Sequence, residues 1–184
     1  GLPPGVFNVV TGDGRTVGRT LVEGADMTTM TGSTRAGREI YAAGAARIKT
    51  LRLELGGKAP FIVLEDADLD RAVEAAVVAR FTNCGQICTC NERMYLHEAI
   101  ADEFLSRFVE KARALTIGPG LEDPDLGPKV SKGEVDKVEA LTAASIEAGA
   151  EVLLRGGPLR EGRLAQGHFM APTVLAVRSD DVPV

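Results

Sequence analysis

This chain has two histidines, three cysteines and no apolar run of membrane-spanning length. Each scarcity excludes something. A helix needs roughly 20 apolar residues in a row to cross a bilayer, so no membrane partner is expected. Lysines and arginines number 21 against 26 acidic residues, giving a net charge of -5, and they are dispersed rather than clustered. Nucleic acid and anionic surfaces are therefore not expected as partners either. The opening stretch "GLPPGVFNVV" has no basic segment of the kind that starts a secretory signal. Three cysteines make no disulfide framework in a chain of this length, and a reducing cytoplasm is the expected location. They make no zinc site either: C-x3-C-x-C lacks the second pair or the histidines that such a site takes, so no metal is expected.

A hydrophobic share of 45% beside a charged share of 26% suits a soluble globular chain with a core. The first residue is Gly1, not Met, and "VRSDDVPV" closes the chain in what reads as the loop after a strand. Both ends look like cuts, and a fragment of a longer protein is expected. From Gly1 to Gly56 strand and helix signals alternate. "VFNVV" (residues 6–10), "DMTTM" (26–30) and "LRLEL" (51–55) read as strands, with helical stripes at Val17 and Leu21 and from Ser33, a capping residue, to about Ala46. That order predicts a parallel sheet with right-handed crossovers, whose ligands gather beyond the C-terminal strand ends. After Gly57 come a strand "PFIVL", a helix capped by Asp66 or Asp68, the cysteine cluster and a strand "RMYLH". An amphipathic helix with Ile100, Phe104 and Phe108 on its apolar side follows, then a surface loop "GPGLEDPDLGP". A helix with a Ser131–Glu134 capping box and two strands, "EVLLRGG" and "PTVLAV", complete the chain. The expected fold is α/β: residues 1–56 as part of a Rossmann-like dinucleotide-binding domain and 57–184 as an incomplete α/β catalytic domain.

Three groups of residues are candidates for chemistry. Cys84, Cys88 and Cys90 stand in "NCGQICTCNER". Inert burial suits free cysteines in general, and Cys84, beside a helix end, in particular. Cys88 follows turn-forming Asn83, Gly85 and Gln86. Backbone N–H groups of such a turn either raise the thiolate fraction or hold an oxyanion on a carbonyl that the sulfur attacks. Nucleophile and inert thiol both stay open on local chemistry. Glu54 lies in an apolar strand at its C-terminal end, where a carboxylate is either a solvated residue sharing a face with Arg52 or a functional one. Gly12, Gly14 and Gly18 in "GDGRTVG" miss the G-x-G-x-x-G spacing by one residue and read as a turn more readily than as a phosphate cradle.

Taken together, "LELGGK" at Leu53–Lys58 and "NCGQICTCNER" resemble the glutamate and cysteine signatures of the NAD(P)-dependent aldehyde dehydrogenases. "GLPPGVFNVVTG" and "MTGSTRAGREI" resemble the segments of their cofactor domain. The likeness covers essentially the whole chain, and the cysteine context with "ERMYLH" leans towards lactaldehyde and glycolaldehyde dehydrogenases. It implies that Cys88 attacks an aldehyde to give a thiohemiacetal, and that Glu54 is the base for hydrolysis of the thioester left after oxidation. It implies NAD or NADP as cofactor, with Gly32 and Ser33 near the pyrophosphate and Leu55 and Gly56 near the nicotinamide. Gly12 and Gly18 would shape the helix beneath. A homo-oligomeric parent and a small-molecule aldehyde substrate are also implied. The family's oxyanion-hole asparagine, ribose-contacting lysine and E-x-F-G-P motif have no counterpart between Gly1 and Val184, so the isolated chain is expected to be weakly active. Three other readings compete: an acyl-phosphate or acyl-CoA reductase, which has no need of Glu54; a cysteine hydrolase, with His97 or His168 as partner; and a non-catalytic nucleotide-binding module.

Overall fold

The computed structural model describes residues 1–184, which divide into two compact units, Gly1–Gly56 and Gly57–Val184. In the first, β1 (Met27–Gly32), α2 (Thr34–Ala45) and β2 (Thr50–Leu55) form one parallel crossover, with Met27 opposite Thr50 and Gly32 opposite Leu55. α1 (Arg19–Gly24) precedes it, led by a wide helical turn over Gly14–Gly18 that Asp13 caps, accepting from the N–H groups of Arg15 and Thr16 at 2.8 and 2.9 Å. Ser33 is the N-cap of α2 and accepts from Ala36 N–H at 3.2 Å. Arg47 and Lys49 donate to the last carbonyls of α1, at Glu23 and Val22, as cations do at helix C-termini.

The strand expected at residues 6–10 is absent. Val6, Phe7, Val9 and Val10 are exposed, and Val6 N–H closes a turn onto Pro3 O at 3.3 Å. A β-branched run becomes a strand only where a neighbour completes its hydrogen bonds. In this chain β1 and β2 pair only with each other.

The second unit repeats the crossover. β3 (Ala59–Val63) pairs in parallel with β4 (Asn91–Leu96) through α3 (Leu69–Phe81), whose N-cap is Asp68 rather than Asp66. α4 (Ala101–Ala114) packs on α3. Val63, Val73, Ala76, Val77, Phe104 and Phe108 form the core, with Phe108 stacked between Phe81 and Phe104 at centroid distances of 6.0 Å. Ser131 caps α5 (Lys132–Glu147), but the Glu134 carboxylate reaches forward to Lys137 at 3.6 Å instead of completing a capping box.

The remaining strands are antiparallel. β5 (Glu151–Leu154) and β8 (Val174–Ala176), both expected as strands, pair with each other, while the two-residue β6 (Gly157–Pro158) and β7 (Met170–Ala171) carry no pattern from which to predict them. The architecture is α/β.

The loop between α4 and α5 lies at the surface as expected, yet it is firmly tied. Asp125 accepts from the Thr116 N–H at 2.7 Å and hydroxyl at 2.6 Å; Glu122 pairs with Arg163 at 2.6 Å; Leu126 is buried. The Thr116 hydrogen bonds hold the Asp125 carboxyl below its usual range. A carboxyl depressed by folding contributes stability that is present above its unfolded pKa and lost as pH falls through the folded one. Asp125→Asn should therefore lower the melting temperature of the full-length polypeptide at neutral pH, and the difference should shrink as pH falls through the folded-state pKa of Asp125. Thermal melts from pH 7 to 2 measure this, and a constant offset at every pH would count against it.

Candidate active site

All three cysteines lie where α3 hands the chain to β4. Thr82–Gly85 form a tight turn in which Asn83 (φ 49°, ψ 38°), Cys84 (φ 58°, ψ 28°) and Gly85 (φ 72°) are successively left-handed. Asparagine and glycine adopt this region readily; Cys84 does so at a cost of about 1–2 kcal/mol. A conformation of that kind persists only when its surroundings over-determine it. Here they do. Arg80, from the last turn of α3, donates to Asn91 O at 3.0 Å and reaches Gly85 O at 3.5 Å. Cys84 Sγ donates to Gly127 O at 3.1 Å, and Lys129 Nζ donates to Cys84 O at 2.7 Å. The Gln86 amide accepts from Val130 N–H at 2.8 Å and donates to Asn83 O and Pro128 O at 3.2 and 3.4 Å. Burial, and next the Arg80 cation, hold the Lys129 ammonium below the usual lysine range.

The three thiols are free and differ sharply in setting: Cys90 is buried, Cys84 half-buried and Cys88 exposed. Cys88 and Thr89 occupy the centre of a second turn, closed by Cys90 N–H onto Ile87 O at 3.1 Å. The N–H groups of Cys88 and Thr89 donate to no atom of the chain, so they are available to an oxyanion. Behind the nucleophile candidate stands Gly57. A Cβ there would collide with the Cys88 carbonyl oxygen and come within 2.9 Å of its carbonyl carbon. No group of three His, Cys, Asp or Glu side chains is arranged to hold a metal ion.

Neither histidine is hydrogen-bonded to a cysteine. His97 Nδ1 accepts from Ala99 N–H at 3.3 Å, and its place just past β4 puts the length of that strand, about 20 Å, between it and Cys88. His168 is exposed, with its carbonyl accepting from Lys129 N–H at 2.9 Å.

In the first unit the C-terminal ends of β1 and β2 bring Gly32, Ser33, Glu54, Leu55 and Gly56 together, with Thr31 opposite Glu54 and Gly56 N–H donating to Gly32 O at 3.2 Å. Glu54 and Arg52 lie on the exposed face of β2; Leu55 points the other way and packs on Gly37 of α2. Gly12 (φ 153°) backs onto the Val17 side chain, and Gly18 opens α1. The start of α2 is exposed, capped by serine and free of acidic residues in its first turn. That combination fits the pyrophosphate of a dinucleotide, since a helix N-terminus presents unpaired N–H groups and a partial positive charge.

The sequence profile of the aldehyde dehydrogenase family matches residues 1–184. The chain belongs to that family. It is 48% identical to a 3,6-anhydro-alpha-L-galactose dehydrogenase of Vibrio sp. over 95% of this chain and 37% of the relative. It is 41% identical to a D-glyceraldehyde dehydrogenase (NADP(+)) of Thermoplasma acidophilum, covering 95% of this chain and 36% of the relative. Among solved structures, lactaldehyde dehydrogenase from Escherichia coli superposes with a TM-score of 0.88 at 44% identity, over 95% of this chain and 37% of that one. The chain thus spans little more than a third of the length of these aldehyde dehydrogenases.

Arg80 and Lys129 carry no signal in the sequence, and Gln86 reads there only as a turn residue before Cys88. "GPKVSK" reads as a loop and a helix cap, and nothing local couples it to cysteines more than 40 residues earlier. Gly57 is legible as a boundary glycine and as part of "LELGGK", but its close approach to Cys88 is not. Because a side chain there meets backbone, Gly57→Ala should destabilise the second unit by about 1–3 kcal/mol, the usual cost of overpacking. Gly120→Ala, with open space around it, should change stability by less than about 0.5 kcal/mol. Urea titrations of the full-length variants test this; equal midpoints would mean that the Gly57–Cys88 approach is not required.

Proposed function

We propose that this chain carries the nucleophile and the hydrolytic base of an NAD(P)-dependent aldehyde oxidation, Cys88 and Glu54. The observation that carries the reading is the Cys88 turn, an exposed thiol beside two N–H groups with no acceptor of their own. The Cys88 thiolate adds to the carbonyl carbon, forming the C–S bond and moving the π pair onto oxygen, where the Cys88 N–H receives it. A bound nicotinamide, approached by Leu55 and Gly56, would supply the hydride acceptor for the oxidation of that carbon. The substrate is then a thioester on Cys88. Glu54 takes a proton from water, the water oxygen adds to the acyl carbon, and the C–S bond breaks to release the carboxylic acid. Glu54 suits this part because its carboxylate is exposed at the strand end, where it can meet water.

In this reading residues 1–56 belong to the dinucleotide-binding domain and residues 57–184 to the catalytic domain. Gly32 and Ser33 hold the pyrophosphate, and Gly12 and Gly18 shape the neighbouring turn. Leu55 and Gly56 approach the nicotinamide through their backbone, since the Leu55 side chain is engaged on Gly37. By the same resemblance the intact enzyme is a cytoplasmic homo-oligomer. The isolated 184 residues turn over little, because the family's oxyanion-hole asparagine lies outside them.

Cys88→Ala should abolish aldehyde oxidation by the full-length enzyme. Glu54→Gln should leave a burst of NAD(P)H near one per active site, followed by turnover slowed about a hundredfold or more, the usual size of a lost general base. Rapid-quench kinetics with acyl-enzyme mass spectrometry distinguish the two. A Cys88→Ala variant of undiminished rate would end the proposal, as would robust turnover by the isolated chain for its last part.

The substrate class proposed is a 2-hydroxyaldehyde. The names of three relatives at 41–48% identity support it, because lactaldehyde, glyceraldehyde and 3,6-anhydrogalactose all carry a hydroxyl next to the aldehyde. A site that hydrogen-bonds that hydroxyl discriminates against the analogue without it, so kcat/KM for lactaldehyde should exceed that for propanal by at least about tenfold. Equal values would remove the hydroxyl from the specificity.

A further inference from the structure

Two cations flank the left-handed turn before Cys88, and neither forms an ion pair. Arg80 reaches Gly85 O and Asn91 O, while the Lys129 ammonium has Cys84 O as its hydrogen-bond acceptor. Both line a cavity of about 430 Å³ that also borders Cys84. Successive left-handed residues leave carbonyls that no regular structure satisfies, and buried carbonyls require donors. The Lys129 backbone is itself pinned, its N–H to His168 O at 2.9 Å and the next N–H to the Gln86 amide oxygen at 2.8 Å. The ammonium is thus delivered to the turn by a segment fastened on both sides.

We propose that Lys129 is a positioning residue for the Cys88 nucleophile: by holding the Cys84 carbonyl it locks the Asn83–Gly85 turn, and through that turn it sets the Cys88 backbone against Gly57. This rests on Cys88 being the nucleophile, and Lys129 acts without touching substrate or cofactor. Burial disfavours the charge that it carries, and a thioether or amide of similar length fills the space without it. The link that such replacements remove is the charge-assisted hydrogen bond to Cys84 O.

The test uses the full-length polypeptide with Lys129→Met, Lys129→Gln and Lys129→Arg. Amide hydrogen exchange is followed in the peptide spanning residues 82–90, together with the rate of Cys88 alkylation by iodoacetamide and steady-state kcat and KM. The Met and Gln variants should exchange about tenfold faster in that peptide alone, the equivalent of one hydrogen bond to a charged group. Their kcat should fall by a similar factor with KM for the aldehyde little changed, and Lys129→Arg should recover most of both. Wild-type exchange and wild-type kcat in the Met and Gln variants would overturn the proposal, as would an Arg variant no better than Met. Failure of the underlying reading shows separately, as a Cys88→Ser enzyme that still oxidises aldehydes or as label on Cys84 or Cys90 in place of Cys88. Either result overturns the positioning role even if exchange at the turn quickens.

Discussion

The parallel register of β3 and β4 is the constraint on which the second unit of this chain hangs. With Ala59 opposite Asn91, the residues leading into the two strands must run side by side, and those are Gly57 and Cys88. The approach is too close for a side chain at position 57. The crossover between the strands is equally bounded, because α3 is held by Val73, Ala76 and Val77 against Phe104 and Phe108. The short loop left between Phe81 and Asn91 has to reverse direction within a few residues. It does so through three left-handed positions, one of them the cysteine Cys84. Strain in the turn and exposure of Cys88 are two consequences of one geometric demand.

Polar groups then decide whether such a turn persists. Carbonyls of Cys84, Gly85 and Asn91 find cationic donors in Arg80 and Lys129, and Gln86 ties the loop to residues 128–130. The loop from Thr116 to Val130 is therefore more than a connector. Asp125 and Glu122 brace one end of it, and its other end braces the turn before Cys88. A rigid support under an exposed thiol is what nucleophilic chemistry asks of a protein, since a small displacement of the reacting atom is expensive in rate. The first unit meets a simpler demand. One crossover carries Gly32 and Ser33 to the end of the sheet that also carries Glu54, beside the capped, exposed start of α2.

Much of this is legible in the sequence. Ser33, Asp68 and Ser131 announce helix starts because a short oxygen side chain before an apolar stripe satisfies otherwise orphaned N–H groups. The helices at 69–81 and 101–114 follow from their apolar spacing, and the glycine pair at 56 and 57 marks where one unit gives way to the other. The failures are instructive. "VFNVV" has strand residues but no strand, because pairing is a property of two segments and local composition describes only one. β6 and β7 escaped notice for the converse reason: a strand of two residues owes its existence to its partner alone.

By itself, then, the sequence determined the α/β class through its periodicity, and the likeness of "LELGGK" and "NCGQICTCNER" to family signatures pointed to the family and to Cys88 and Glu54 as candidates. Tertiary structure alone decided which of three cysteines faces solvent, that Gly57 must lack a side chain, and that Arg80, Gln86 and Lys129 hold the turn. Those facts depend on contacts between segments up to 45 residues apart. Local propensity carries no record of such contacts, because their geometry exists only once strands have found their register and helices their core.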